Sequence, residues 1–289
     1  MASIRPYALL ITLSVIWGMA FVAIRQADFE LDSNNLTLLR WLIVSAAFLI
    51  LYRFIVRPKA KFERKDFPRL IVVAATSVAI YHLSLNASEK IVNASLAGLL
   101  ISLAPLTTVL LSSIVLHEKI SSRIWGALVL AIAGAVVISS PDLSLTGAAF
   151  GPGLVVVAAM AGATFTVSSK PLVAKYGPYP VAAWAAFLGT AMLLPLVTPG
   201  LLTQAEGLSA TGWLSVLYLA ILSTVIANMI FYTLVSRQAL SKLGVQLYLV
   251  PIVSAVGGVL LLGEQLGVAT LVGGALLLVA VGLATSGRH

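Results

Sequence analysis

The chain has no cysteine among its 289 residues, which excludes disulfides, thiolate metal sites and cysteine nucleophiles. Charge is scarce as well. Asp, Glu, Lys and Arg make up 10% of the chain, against about 25% in an ordinary soluble domain. The ten acidic residues map to loops or helix ends rather than to the interior of an apolar run, so a carboxylate relay for protons or sodium has no evident residue. There is no Walker motif, which excludes direct driving by ATP. What fills the chain instead is 60% hydrophobic residues, with a mean hydropathy of +1.05. Length alone would allow one or two soluble domains, but long apolar runs with short polar gaps describe an integral membrane protein. The first run has only Arg5 as a charge before it and many spans after it, so it reads as a retained helix rather than a cleaved signal.

With about 20 apolar residues per crossing, the runs predict helices at 7–24, 35–56, 68–86, 91–116 and 123–140 in the first half. The second half gives 151–170, 178–197, 212–235, 242–262 and 267–286. Runs of this length without alternation favour helices over strands. If both termini face the cytoplasm, 15 of the 18 basic residues fall on that side: Arg5, the cluster from Arg53 to Arg69, Lys119, Arg123, Lys170, Lys175, Arg237, Lys242 and Arg288. The opposite side holds Arg25 and Lys90 and collects Asp28, Glu30, Asp32, Glu89, Asp142, Glu206 and Glu264. That asymmetry is the positive-inside pattern. It also accounts for the net charge of +8 without a nucleic-acid partner, leaving the bilayer and a small molecule as the expected partners.

The two halves repeat one another. Ala94-Ser95-Leu96-Ala97 leads through Pro105 to His117-Glu118-Lys119, and Leu240-Ser241-Lys242 leads through Pro251 to Gly263-Glu264-Gln265. Pro105 to Glu118 and Pro251 to Glu264 both span 13 residues, and Gly126 and Gly134 are matched by Gly274 and Gly282 once two residues are inserted. Five crossings per half turn the second copy over, which gives two repeats of inverted topology, 1–142 and 147–289. In transporters built this way the substrate site lies between the repeats near the bilayer midplane.

These features resemble the EamA-type members of the drug/metabolite transporter superfamily over essentially the whole chain. The resemblance is carried by Trp17-Gly18 with Phe21, by Leu38-Leu39-Arg40, and by the ordered string Ala94-Ser95-Leu96-Ala97, Pro105, Glu118, Gly126, Gly134 with its echo. The second half departs from it at Leu243-Gly244-Val245. The chain looks most like the YddG-type exporters of amino acids and related metabolites. That resemblance implies an inner-membrane carrier with ten helices, no cofactor and no enzymatic activity, as a monomer or homodimer. Carriers of drugs, nucleotide sugars or lipid precursors share the fold. An intramembrane enzyme or a non-transporting receptor would differ in having a reactive cluster or in showing no flux.

Arg40 is the one charge inside a predicted span, roughly 8 Å below the surface at 1.5 Å per residue. It either binds a substrate carboxylate through two parallel hydrogen bonds or snorkels to the interface. His82 and Asn86 share a helix face, and Asn228 follows His82 by the same 146 residues that separate Pro105 from Pro251. The three are candidates for a central cavity or for interhelical hydrogen bonds. With no carboxylate relay in view, facilitated, gradient-driven export is the expectation, and proton exchange through His82 is its variant, since a histidine titrates near neutrality. Trp17, Phe21, Trp184 and Tyr248 are candidates for an apolar wall or for core packing, whereas Trp213, Tyr7 and Trp41 read as interface anchors. Pro105 and Pro251 break backbone bonds at matched depth and mark hinges or fixed kinks. The glycine-rich stretches at 126–135 and 273–282 favour close helix approach. Asn35, Asn86 and Asn93 head formal glycosylation acceptors that fall at the membrane boundary.

Overall fold

The computed structural model describes residues 5–54, 60–116, 122–139, 150–236 and 244–285, with the backbone alone at some of them, Pro105 and Tyr248 included. The described residues are helical throughout, with short turns and no strand. In order they form α1 (Arg5–Ala27), α2 (Ser33–Phe54), a 3₁₀ turn (Arg64–Asp66), α3 (Phe67–Ala74), a first π turn (Ala75–Ile80) and α4 (Tyr81–Glu89). Then come α5 (Ala94–Ile101), α6 (Ala104–Leu116), α7 (Ser122–Ser139), α8 (Phe150–Tyr176), α9 (Pro178–Leu193) and α10 (Gly200–Glu206). The chain continues with α11 (Ala210–Leu217), a second π turn (Tyr218–Ile226), α12 (Ala227–Ser236), α13 (Gly244–Leu262) and α14 (Val268–Thr285). Among the described residues, six helical runs are long and apolar enough to cross a membrane. Shorter apolar helices occupy Ala94–Thr108, Trp125–Ile138, Leu249–Leu262 and Val268–Leu283.

The differences from the sequence expectation have local causes. The run expected at 91–116 is split at Ser102-Leu103, just before Pro105, whose missing N–H cannot continue the ladder. α13 is continuous through the buried Pro251, so the matched prolines do not act alike. α8 runs past its expected end at 170 to Tyr176, because the Tyr176 hydroxyl donates to Asp66 Oδ2 at 2.6 Å and accepts from the Glu63 amide at 3.1 Å. α10 lies between the spans expected at 178–197 and 212–235. It holds Gln204, whose side chain bonds Asn35 Nδ2, the Asp32 amide and Asp32 Oδ2. The junction at 142–147 and the His117-Glu118-Lys119 and Leu240-Ser241-Lys242 segments lie outside the described residues.

Helices of the two halves pack mainly on one another: α1 and α5 on α13, α4 and α6 on α8, α2 on α9, and α7 on α14. The bundle has two chemically distinct ends. At the acidic end, Asp32 caps α2 by accepting from the Asn35 amide at 2.8 Å, and Glu30 accepts from the Ser209 amide and hydroxyl at 2.6 Å, just before α11. Glu264 reaches from the α13–α14 connection to the first amides of α5, at Ala94 (2.7 Å) and Ser95 (3.0 Å). Unpaired N–H groups at a helix start attract such carboxylates. At the basic end, Lys175 pairs with Asp66 at 2.7 Å and with Glu63 at 2.5 Å.

The glycine stretches do what their spacing suggests, and inside one chain. A Cβ on Gly134 would lie 2.8 Å from the Gly273 carbonyl oxygen, and one on Gly273 would lie 2.6 Å from that of Gly134. The α7–α14 contact is backbone on backbone. Gly273→Val is therefore expected to lower the thermal unfolding temperature in detergent, with overpacking costing about 1–3 kcal/mol. Gly126→Val, where a Cβ meets nothing within 4 Å, is expected to leave it unchanged.

Candidate functional site

The site is organised by the second π turn. Widening a helix by one residue disturbs the regular ladder and is common at functional positions. Here the Thr224 hydroxyl donates back to the Leu219 carbonyl at 2.8 Å and accepts from Arg40 Nε at 3.2 Å and Nη2 at 2.8 Å. The neighbouring Ser223 carbonyl accepts from the Trp17 indole at 3.2 Å, and the Tyr218 hydroxyl donates to the Ile16 carbonyl at 2.9 Å. The first π turn stands at the corresponding place in the first half, since adding 146 to 75–80 gives 221–226. Each π turn thus ends just before His82 or Asn228. No composition signal marks either turn in the sequence.

Arg40 is 4% exposed, so it does not snorkel. Among the described residues it forms no ion pair, and its guanidinium rests on a neutral hydroxyl. A cation held this way in the interior is costly unless something anionic completes it. His82, also buried, stacks edge-on against Trp41 (5.1 Å between centroids) and Tyr81 (4.9 Å). Asn86 is fully buried and donates to Thr37 Oγ1 at 2.8 Å. Trp41 is not the interface anchor expected from the sequence. It is buried against His82, and its indole nitrogen has no hydrogen-bond partner among the described residues. His82 Nδ1 and Asn86 Oδ1 share that condition. Buried polar atoms are nearly always paired, so a concentration of unpaired ones marks a place built to receive something.

The remaining candidates divide. Trp17 is half-buried, packs on Phe231 at 5.6 Å and donates to the carbonyl of Ser223, the residue before Arg40's Thr224. Asn228 is part-buried one turn beyond Thr224 and makes no hydrogen bond with His82 or Asn86. Phe21 sits in the packed core with Ala97 and Leu100. Trp184 stands apart, at the basic end, in an aromatic cluster with Phe62 (5.2 Å) and Tyr176 (5.3 Å). The Tyr248 and Pro105 side chains lie outside those described. Asn35, Asn86 and Asn93 are all engaged within the fold, Asn93 as the cap of α5.

The acids at helix ends do not all lie in water, and this corrects the sequence reading. Glu89 is fully buried in the last turn of α4, and Asp28 is 6% exposed just beyond α1. Burial pushes the Asp28 carboxyl up to about 7, against the pull of Lys90 and Arg25. The Ser209 hydrogen bonds hold Glu30 below the usual carboxylate range. Sequence position alone could not separate these acids, because each sits next to a span end.

Thr224→Val removes the acceptor beneath Arg40 while keeping the side chain's shape. A buried donor left unpaired costs about 1–3 kcal/mol. The valine variant is expected to unfold at lower temperature in detergent than Thr224→Ser, which keeps the hydroxyl.

Comparison with known proteins agrees with this architecture. The model of the EamA-like transporter family matches twice, at residues 4–140 and 149–286. An uncharacterized transporter of Archaeoglobus fulgidus is 31% identical over 266 residues, covering 92% of this chain and 93% of that one. A probable terminal-alkyne amino-acid exporter of Streptantibioticus cattleyicolor is 34% identical over 275 residues, covering 93% and 89%. A probable amino-acid metabolite efflux pump of Salmonella typhimurium is 27% identical over 280 residues, covering 91% and 89%. A solved crystal structure shares the fold at a TM-score of 0.64 and 18% identity, covering 97% of this chain and 96% of that one. The two family matches, the apolar helices and the paired halves lead to one conclusion: the chain is a multi-pass membrane protein of the EamA-like transporter family.

Proposed function

We propose that the protein exports amino acids, aromatic ones among them, or related small metabolites across the inner membrane by alternating access. The observation that carries this reading is Arg40: a buried guanidinium between α2 and the second π turn, without an ion pair among the described residues. A substrate carboxylate would complete it bidentately. His82, Asn86, Trp41 and Trp17 offer polar and aromatic groups beside it. The names of two relatives, an amino-acid exporter and an amino-acid metabolite efflux pump, support the substrate class. A phosphate-bearing substrate would want several buried cations, and among the described side chains Arg40 is the one buried Lys or Arg.

In this reading the ten apolar helical runs all cross the bilayer and both termini are cytoplasmic. The basic end then faces the cytoplasm, in line with the distribution of Lys and Arg. Pro105 and Pro251 shape or hinge the helices that close the cavity, one by a break and the other within a continuous helix.

Two measurements test the proposal. In proteoliposomes loaded with one unlabelled amino acid, the wild-type protein is expected to take up the matching label by counterflow, and Arg40→Ala to lose it. Absence of counterflow for every amino acid would overturn the substrate class. Because the chain lacks cysteine, single cysteines report sidedness directly. A membrane-impermeant maleimide applied outside intact cells is expected to label Glu206→Cys and to spare Lys61→Cys, both positions being exposed. The reverse pattern would overturn the orientation.

A further inference from the structure

His82, Asn86 and Glu89 lie at i, i+4 and i+7 of α4, hence on one helix face. All three are buried, and all three carry polar atoms without a hydrogen-bond partner among the described residues: His82 Nδ1, Asn86 Oδ1 and both carboxylate oxygens of Glu89. The stripe runs from the Arg40 site to the acidic end. Contacts from His82 to Trp41 and from Asn86 to Thr37 turn it toward α2, and the Arg25 guanidinium of α1 donates to the Glu89 main-chain carbonyl. Glu89 differs from Glu30, Asp32 and Glu264, whose carboxylates are occupied at helix starts, and from Asp28, whose carboxylate oxygens also lack a hydrogen-bond partner but which has the Lys90 ammonium 3.6 Å from Oδ1.

We propose that Glu89 is a proton-binding site that couples export to proton entry. This rests on the carrier reading above and assigns its coupling ion. An ionised carboxylate in such a setting is costly, and two ways of neutralising it are closed. Direct pairing is one: Arg25 bonds the Glu89 carbonyl oxygen rather than its side chain, while Lys90 bonds the carbonyls of Asp28 and Leu31 and lies 3.6 Å from Asp28 Oδ1. A metal ion is the other. It needs several oxygen ligands, those main-chain oxygens are already taken by the two cations, and no group of three metal-binding side chains occurs among the described residues. A proton remains. It adds to a Glu89 carboxylate oxygen, forming an O–H bond when the site communicates with the acidic end, and leaves as that bond breaks when the site communicates with the other.

The charged and titratable groups around Glu89 are Arg25 of α1 and Asp28 just beyond it, Arg40 from α2, Tyr81, His82 and Lys90 on or beside α4, and Glu264 from the α13–α14 connection. α5 contributes none, and α8 none before Lys170. Arg25 and Lys90 are shared with main-chain carbonyls and with Asp28. The asparagine and histidine along the stripe give the proton polar stations toward Arg40.

The test separates coupling from transport. In proteoliposomes, an inward-directed substrate flux driven only by an opposing pH gradient is expected for the wild type. Glu89→Gln, a fixed mimic of the protonated acid, is expected to lose that accumulation by about tenfold or more while keeping counterflow. Counterflow serves as the check that the variant folds, and Glu89→Asp is expected to restore part of the gradient response. Counterflow in the wild type without any response to pH, or with a response to sodium instead, overturns the proton site and leaves the carrier reading standing. So does gradient-driven accumulation by Glu89→Gln, or loss of counterflow in both Glu89 variants. A substrate-independent measurement covers the case where no amino acid is carried: dicyclohexylcarbodiimide modifies protonated carboxyls in apolar surroundings, and mass spectrometry is expected to find it on Glu89. Absence of that adduct at every pH overturns the inference.

Discussion

Where water is excluded, every polar group must find its partner inside the protein, and this constraint explains most of what the chain does with its few charges. Asp32, Glu30 and Glu264 satisfy amides at or just before the starts of α2, α11 and α5. Arg25 and Lys90 satisfy carbonyls where α1 and α4 end. Glu264 does more than cap, because it comes from the second repeat and holds a helix of the first. With α7 and α14 in backbone contact through Gly134 and Gly273, the two halves become one body.

Against that background of satisfied groups, the exceptions stand out. Among the described residues they lie along one face of α4, at Trp41 of α2, at Asp28 just beyond α1 and at the tip of Arg40: an indole nitrogen, an imidazole nitrogen, an amide oxygen, two carboxyl groups and a guanidinium on a neutral hydroxyl. A fold that pairs most of its described buried polar atoms gains nothing structural by leaving these unpaired. A carrier does gain, because a site completed only by its cargo binds selectively. The π turns fit the same picture. The second presents a carbonyl to Trp17 and a hydroxyl to Arg40 from consecutive residues, tying α1 and α2 to the opposite repeat.

Much of this was legible in the sequence. Long apolar runs set the helices, the 146-residue offset set the repeat, and isolation within a span singled out Arg40. The four-residue spacing of His82 and Asn86 placed them on one face. The rest depended on neighbours that no local pattern names. Glu89 looked like a loop-side acid because it ends a helix, and only the packing of α1, α2 and α8 around α4 buries it. Trp41 looked like an anchor for the same reason, being near a span end. Trp184 looked deep by residue count, yet it belongs to the basic-end cluster because Phe62 folds back from the loop. Glu264 served in the sequence as a spacing marker, and its role as a cap across the repeats required the α13–α14 connection to be in place. Its counterpart Glu118 lies outside the described residues.

The proposal at the centre is that Arg40, with His82, Asn86 and Trp41, recognises a carboxylate-bearing substrate. Equilibrium dialysis of labelled phenylalanine against the purified protein tests it most directly, with phenethylamine, which lacks only the carboxylate, as competitor. Saturable binding that phenethylamine fails to displace, and that Arg40→Ala abolishes, is the predicted result. Equal displacement by the amine, or unchanged binding in Arg40→Ala, would contradict the account.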